Sequence, residues 1–343
     1  MRFMVLDWQI ELDRARASLA AFVNAPAERL VFVPSSTVGV AIALNSIELA
    51  AGDDIITTDH AYRACMNQLK RLAAARGATI TVVEIPLPFD PEALIDAVAR
   101  AITPRTRLAL FDHITSATAL RLPLESLVGL FTARDIPVVV DGAHAPGQIP
   151  LDITAIGATW YIGNCHKWMC TPKGAAFLHV RKDRQAEVHP LVISHGANSP
   201  RTDRGRFRLE FDFTGTQDPT AWLVIPEALR FMGSLLPGGW EGVRAHNRAL
   251  VLRGRTILCE TLGIEAPAPE SMIGSLATVP LPPGLAPSPE GITGALFERY
   301  HIEVPTWFWP AAPARILRVS AQVYNDESQY TRLAAALTEV LAG

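Results

Sequence analysis

The chain has 343 residues, 49% of them hydrophobic, with 31 Lys and Arg against 34 Asp and Glu and a formal net charge of -3. That is apolar material for one large domain and a smaller one, and the positive residues scatter except over 201–208, which excludes a nucleic-acid partner. Asp7 interrupts the N-terminal stretch, no apolar run approaches the roughly 20 residues of a membrane span, and Cys65, Cys165, Cys170 and Cys259 have no zinc spacing; a cytoplasmic protein with reduced thiols, no metal and no membrane contact is expected.

Leu12, Arg16, Leu19 and Phe22 fall at helical spacing, 31–33 reads as a buried strand, and 38–49 as a helix. Further strands follow over 55–57, 79–85, 108–111 and 137–140, separated by helical stretches such as 62–76 and 91–101. The alternation predicts an α/β fold with a mainly parallel sheet covered by helices on both faces. Ligands of such sheets bind at the carboxyl ends of strands, and the loops at 35–37, 58–62, 112–116 and 141–144 all belong to that edge. No Gly-x-Gly-x-x-Gly follows a strand, so a dinucleotide is not expected.

Residues 175–180 form a further strand. The polar stretch 181–219 contains alternating Phe207, Leu209, Phe211 and Phe213, which marks an ordered functional connection and not a linker. Helices over 221–235 and 240–262, strands over 275–279 and 315–319, and a last helix over 327–341 complete the chain. The expected domains are 1–235, large and cofactor-binding, and 236–343, small, with the N-terminal helix open to either; Pro-rich 266–289 blurs the element bounds.

Val138-Val-Val-Asp-Gly-Ala-His-Ala-Pro146 is an apolar strand ending in a carboxylate, and Tyr161-Ile-Gly-Asn-Cys-His-Lys-Trp-Met-Cys-Thr-Pro-Lys-Gly174 follows it. Taken singly, Lys167 is a surface cation and Asp141 a strand-end turn cap. Together they meet the needs of a pyridoxal phosphate site. The lysine amine can condense with the cofactor aldehyde, and the carboxylate can keep the pyridine nitrogen protonated so that the ring withdraws electrons. Ser36 and Thr37, at a helix start, are either a plain N-cap or a phosphate cradle.

Asp141-Gly-Ala-His144, Asn164-Cys-His-Lys167 and Pro172-Lys-Gly174 resemble the class V aminotransferase family of fold type I pyridoxal phosphate enzymes, which includes cysteine desulfurases and isopenicillin N epimerase. Ile193-Ser-His-Gly196 and Gly215-Thr-Gln-Asp-Pro219 make the epimerase-like branch the nearer one, and the resemblance runs from about Leu12 to the end. It implies the aspartate aminotransferase-like fold, a mainly parallel sheet domain plus a small α+β domain. It also implies a phosphate site at Ser36, Thr37 and His166, with Asn164 as a further contact. Asp141 would take the ring nitrogen, Ala143 would pack under the ring, and His144 and Ser116 would reach the ring hydroxyl. Tyr62 matches the stacking aromatic of epimerase-like members and is preferred; His60 matches the stacking histidine of desulfurases. Arg318 matches the arginine that grips the substrate carboxylate, where a planar guanidinium binds bidentately. Thr216 matches a residue that reaches the neighbouring subunit's cofactor, which implies a homodimer.

Two departures bear on the reaction. Residues 300–315 contain no cysteine where desulfurases carry a sulfur acceptor, so persulfide chemistry is disfavoured. The relatives also usually carry a longer segment ahead of the Leu12 helix that roofs the substrate pocket, so the resemblance does not fix the amino acid. In the leading reading Lys167 removes a Cα proton from an amino acid substrate and Tyr62 or His195 returns one on the opposite face. A β-lyase that expels sulfur from Cβ needs no such second acid. Transamination, and a cofactor-fold binding protein without turnover, are the other readings.

Overall fold

The protein is described by a computed structural model that covers residues 2, 3, 7–283 and 287–342. Its chain divides into two compact units, Met1–Glu84 with Pro91–Ile114 and Leu122–Ser234, and Ile85–Asp90 with Thr115–Arg121 and Leu235–Gly343. Residues 85–90 and 115–121, expected in the large domain, therefore cluster with the second unit, and the N-terminal helix lies in the first.

The first unit begins with α1 (Trp8–Phe22), β1 (Leu30–Val33), α2 (Ser36–Asn45), β2 (Asp54–Thr58), α3 (Arg63–Arg76) and β3 (Thr79–Val83). It continues with α4 (Pro91–Ala101), β4 (Thr106–Asp112), α5 (Leu124–Thr132), β5 (Val138–Asp141), α6 (Ile153–Ile156), β6 (Trp160–Asn164) and β7 (Ala176–Val180). Three helices close it: α7 (Arg206–Asp212), α8 (Thr220–Leu223) and α9 (Ile225–Ser234). The strands form one seven-stranded sheet in the order β1-β7-β6-β5-β4-β2-β3. Only β7 is reversed: it is antiparallel to β6 and β1, and every other pair is parallel. The carboxyl ends of β1 to β6 thus share one edge.

Strands in such a sheet are buried on both faces and read as continuous apolar runs; β5 is buried at all four positions. On one face Val33, Ile55, Leu110, Val139 and Ile162 pack with Val40, Cys65, Leu69 and Phe207 of α2, α3 and α7. On the other, Phe32 stacks on Trp222 of α8 at 5.7 Å and Phe111 meets Phe131 of α5 at 5.6 Å.

The second unit holds α10 (Gly239–Leu262), β8 (Leu276–Pro280), α11 (Pro289–Tyr300), β9 (Thr306–Phe308), β10 (Arg315–Ser320) and α12 (Glu327–Ala342). Its three strands form an antiparallel sheet in the order β8-β10-β9. Neither α11 nor β9 is evident in the sequence, because the prolines around them mask the helical and alternating periods.

Two elements depart from expectation for physical reasons. The alternating aromatics of 207–213 lie mostly on helix α7, where Phe207 and Phe211 stand one turn apart with ring centroids at 5.1 Å. Both sides of this short helix are buried, so alternation ceases to distinguish strand from helix. The single helix expected over 221–235 breaks at Val224, since Pro226 has no N–H and its ring excludes the Trp222 carbonyl from a regular turn.

A buried charge cluster fastens α1 to α7. Arg16, 1% exposed, pairs through Nη2 with Asp212 Oδ1 and donates from Nη1 to the Leu30 carbonyl at 2.6 Å. Arg204 bridges Asp212 and Asp13 at 3.2 Å each, and Arg208 also pairs with Asp13. Asp212→Ala would leave a buried guanidinium short of its partner, a change that costs roughly 3–5 kcal/mol. Chemical denaturation should show a loss of that size; a loss under about 1 kcal/mol, the range of exposed pairs, would show that the cluster contributes little.

Candidate functional site

Asp141 ends β5 and Asp112 ends β4, in register on neighbouring parallel strands, and each is 2% exposed. Asp141 Oδ1 accepts the Ala143 N–H at 3.0 Å and Oδ2 accepts from Cys65 Sγ at 3.1 Å. Burial raises the Asp141 pKa, while those two hydrogen bonds and Lys167 act in the opposite direction. Burial and the proximity of Asp141 push Asp112 well above the usual carboxylate range. Gly142 is required between the strand and Ala143, because a Cβ there would lie 2.4 Å from the Tyr161 ring. That ring is held in turn, with its hydroxyl 2.8 Å from His113 Nδ1.

Lys167 sits in the loop joining β6 to β7. The Cys165 and His166 amides both donate to the Ala175 carbonyl, at 2.9 and 3.2 Å, which folds the loop back on itself. Cys170 adopts φ 59°, a left-handed conformation uncommon for a residue with a side chain. Lys167 Nζ lies 2.8 Å from His144 Nε2, and Trp168 Nε1 is 3.5 Å from His144 Nδ1. The strand order puts β5 beside β6, so the two sequence motifs become neighbours at one edge.

At the start of α2, Ser35 caps the helix by accepting the Val38 N–H at 3.3 Å, and Asn164 Oδ1 accepts the Ser36 N–H at 2.8 Å. Ser36 Oγ and His166 Nδ1 are buried without a hydrogen-bond partner among the described residues. Burial lowers the His166 pKa. Thr37 is half-buried and its carbonyl accepts from Gln68 Nε2 at 3.0 Å. Unpaired polar atoms beside a helix start suit an anion such as a phosphate, and a buried carboxylate at the next strand ends suits a protonated ring nitrogen. With Lys167 set beside His144, this donor set fits pyridoxal phosphate.

The remaining expected residues are distributed as follows. His60 is buried with Nε2 3.8 Å from Asp59, whereas Tyr62 is 43% exposed and its N–H donates to Asp112 Oδ1 at 3.4 Å. His195 is exposed in a short 3-10 turn and stacks on Phe213 at 6.0 Å. Thr216 is exposed beside Gly215. In the second unit, Arg318 Nη1 donates to the Ser116 carbonyl, with Ser116 Oγ at 3.4 Å, and the guanidinium lies 5.4 Å from the Trp307 ring centroid. A cavity of about 350 Å³ in that unit is lined by Arg318, Pro305, Tyr324, Asn325 and Arg332, among others. Sequence reasoning did not single out Asp112 or Cys65. The available signals were a second acid closing an apolar strand and a small residue one turn after Tyr62.

A family profile described as "Aminotransferase class-V" matches residues 6–288. The chain is 34% identical over 352 residues to isopenicillin N epimerase of Streptomyces clavuligerus, covering 98% of this chain and 86% of that one. It is 31% identical over 374 residues to putative L-cysteine desulfhydrase 2 of Oryza sativa subsp. japonica, covering 96% and 76%. A solved complex between the cystine C-S lyase C-DES and its reaction product cysteine persulfide superposes with a TM-score of 0.81 at 23% identity, covering 97% and 87%. Among the described residues, no helix is long and apolar enough to cross a membrane.

Borohydride reduction and peptide mapping should place the cofactor on Lys167, and Lys167→Ala should lose both the adduct and the visible absorption. Reduction onto another lysine would overturn the assignment. Asp141→Ala should lower turnover by more than about tenfold, given that hydrogen bonds to charged groups are worth about 1.5–3 kcal/mol. A smaller loss would remove Asp141 from the ring nitrogen.

Proposed function

The chain belongs to the class V aminotransferase family, and we propose that within it the protein epimerises an amino acid, taking the Cα proton from one face and returning one on the other. Pyridoxal phosphate is its cofactor, and when bound supplies an electron-withdrawing ring that makes the Cα–H bond of the substrate acidic. The observation that carries the reading is Lys167 Nζ at 2.8 Å from His144 Nε2, which lets amine and imidazole share a proton. Lys167 would hold the cofactor through its aldehyde, and its amine would serve as the base that moves the proton at Cα.

The supporting roles follow from position. Asp141 would pair with the ring nitrogen, Ala143 would lie against the ring, and Ser36, Thr37, Asn164 and His166 would hold the phosphate. Tyr62 presents a half-exposed ring for stacking and serves as the second acid; His60 is buried beside Asp59 and His195 is stacked on Phe213, which makes both weaker candidates. Arg318 takes the substrate carboxylate. In this reading Ser116 orients Arg318, and His144 alone serves the ring hydroxyl. Exposed Thr216, together with exposed Leu191, Val192 and Ile193, supports a homodimer in which Thr216 reaches the partner's phosphate.

A second reading, a carbon-sulfur β-lyase, is supported equally by the desulfhydrase relatives and dispenses with a second acid at Cα. Transfer of sulfur through a cysteine persulfide is not supported. Residues 300–315 hold no thiol, and burial raises the pKa of all four thiols, away from the nucleophilic thiolate.

Incubation with L-amino acids in heavy water separates the readings. An epimerase yields the D-enantiomer with deuterium at Cα; a lyase yields sulfide and pyruvate from cysteine. Keto acid formation that requires a second amino acid would sink both in favour of transamination. Cys170 is the exposed thiol, and Cys170→Ser should leave turnover within about threefold, well under the tenfold that 1.4 kcal/mol represents. Abolished sulfide release with an unchanged cofactor spectrum would restore the persulfide route.

A further inference from the structure

Two polar groups from outside the recognised motifs, Asp112 and Cys65, lie beside Asp141. Asp112 stands in register with it on the adjacent strand and accepts the Tyr62 N–H at 3.4 Å, which pins the start of α3. From the first turn of that helix, Cys65 reaches Asp141 Oδ2 at 3.1 Å and is 0% exposed. The other oxygen, Oδ1, is taken by the Ala143 N–H at 3.0 Å. One donor on each oxygen leaves the carboxylate no rotation without the loss of a bond.

We infer that Cys65 is a positioning residue for Asp141: its S–H donates to Oδ2 and fixes the carboxylate in the orientation that serves the cofactor ring nitrogen. This rests on the reading of Asp141 as that nitrogen's partner. The sulfur is a donor because it keeps its proton. Burial, then Asp141, then Asp112 all oppose the thiolate, and Lys167 alone acts the other way. Losing the donor would leave Oδ2 short of a partner in a site closed to water, where an unmade hydrogen bond is expensive. The role also accounts for a buried cysteine that takes no part in sulfur chemistry, and for Asp112, which holds the helix turn from which Cys65 acts.

Two measurements test this. In cofactor-free protein, the infrared S–H stretching band that disappears in Cys65→Ser should move to higher frequency in Asp141→Ala, as the bond to the carboxylate is lost. Pyridoxal phosphate affinity is then compared in Cys65→Val, similar in volume but without a donor, and Cys65→Ser, which restores one. Valine should raise the dissociation constant about tenfold, and serine should stay within about threefold of the parent. Thermal unfolding without cofactor reports any loss of folding separately. An S–H band indifferent to Asp141→Ala, valine binding as tightly as the parent, or serine as weak as valine would overturn the inference. Failure of the parent to bind pyridoxal phosphate through Lys167, with the band shift intact, would instead overturn the cofactor assignment.

Discussion

A carboxylate closed off from water at the end of β5 is the constraint around which the first unit is arranged. Removing an ion from solvent costs several kcal/mol unless partners replace the lost hydration. Around Asp141 those partners are the Ala143 amide, the Cys65 thiol and the charge of Lys167. Asp112, in register and pushed well above the usual carboxylate range, favours a single negative charge at this edge. In the proposed reading a protonated ring nitrogen would complete the compensation, so the burial that costs the folded protein stability would strengthen its hold on the cofactor.

Sheet direction turns this local demand into a site. Six of the seven strands end at one edge, and reversal of β7 alone sends the chain back beside β6. The intervening loop carries Lys167 at that edge, next to the end of β5. Packing on the sheet limits the sequence there as strictly as chemistry does. The Tyr161 ring, held by His113, leaves no room for a side chain at position 142. Asp-Gly-Ala in this chain is therefore partly a statement about the strand next door.

The parallel sheet was legible because its strands are apolar on both faces and alternate with helices; α4 falls at 91–101 as the sequence implies. The adjacency of Lys167 and Asp141 at one sheet edge was legible because the loops that carry them follow consecutive parallel strands. The partners of the carboxylate were not. Cys65 reads as one more small apolar residue of a helix, and its role depends on the rotation of α3 about its axis. Asp112 reads as a loop residue, since register between strands is not written in either strand alone. Arg16 looked like part of an apolar stripe and is a buried cation whose partner lies 196 residues away. The α7 aromatics were legible as ordered but not as helical, because a helix buried on both sides has no polar face to betray its period.

The long reach of that ion pair has a consequence for the newborn chain. On the ribosome, α1 and β1 emerge ahead of their partners: among the described residues β1 pairs only with β7, and Arg16 meets Asp212 only after 196 further residues are made. At translation rates of about 5–20 residues per second the wait is about 10–40 s. Throughout it Arg16 lacks Asp212, and for most of it β1 lacks its partner strand. Helix α1 and strand β1 are thus among the last elements of the first unit to settle, although they precede the rest of it in the chain.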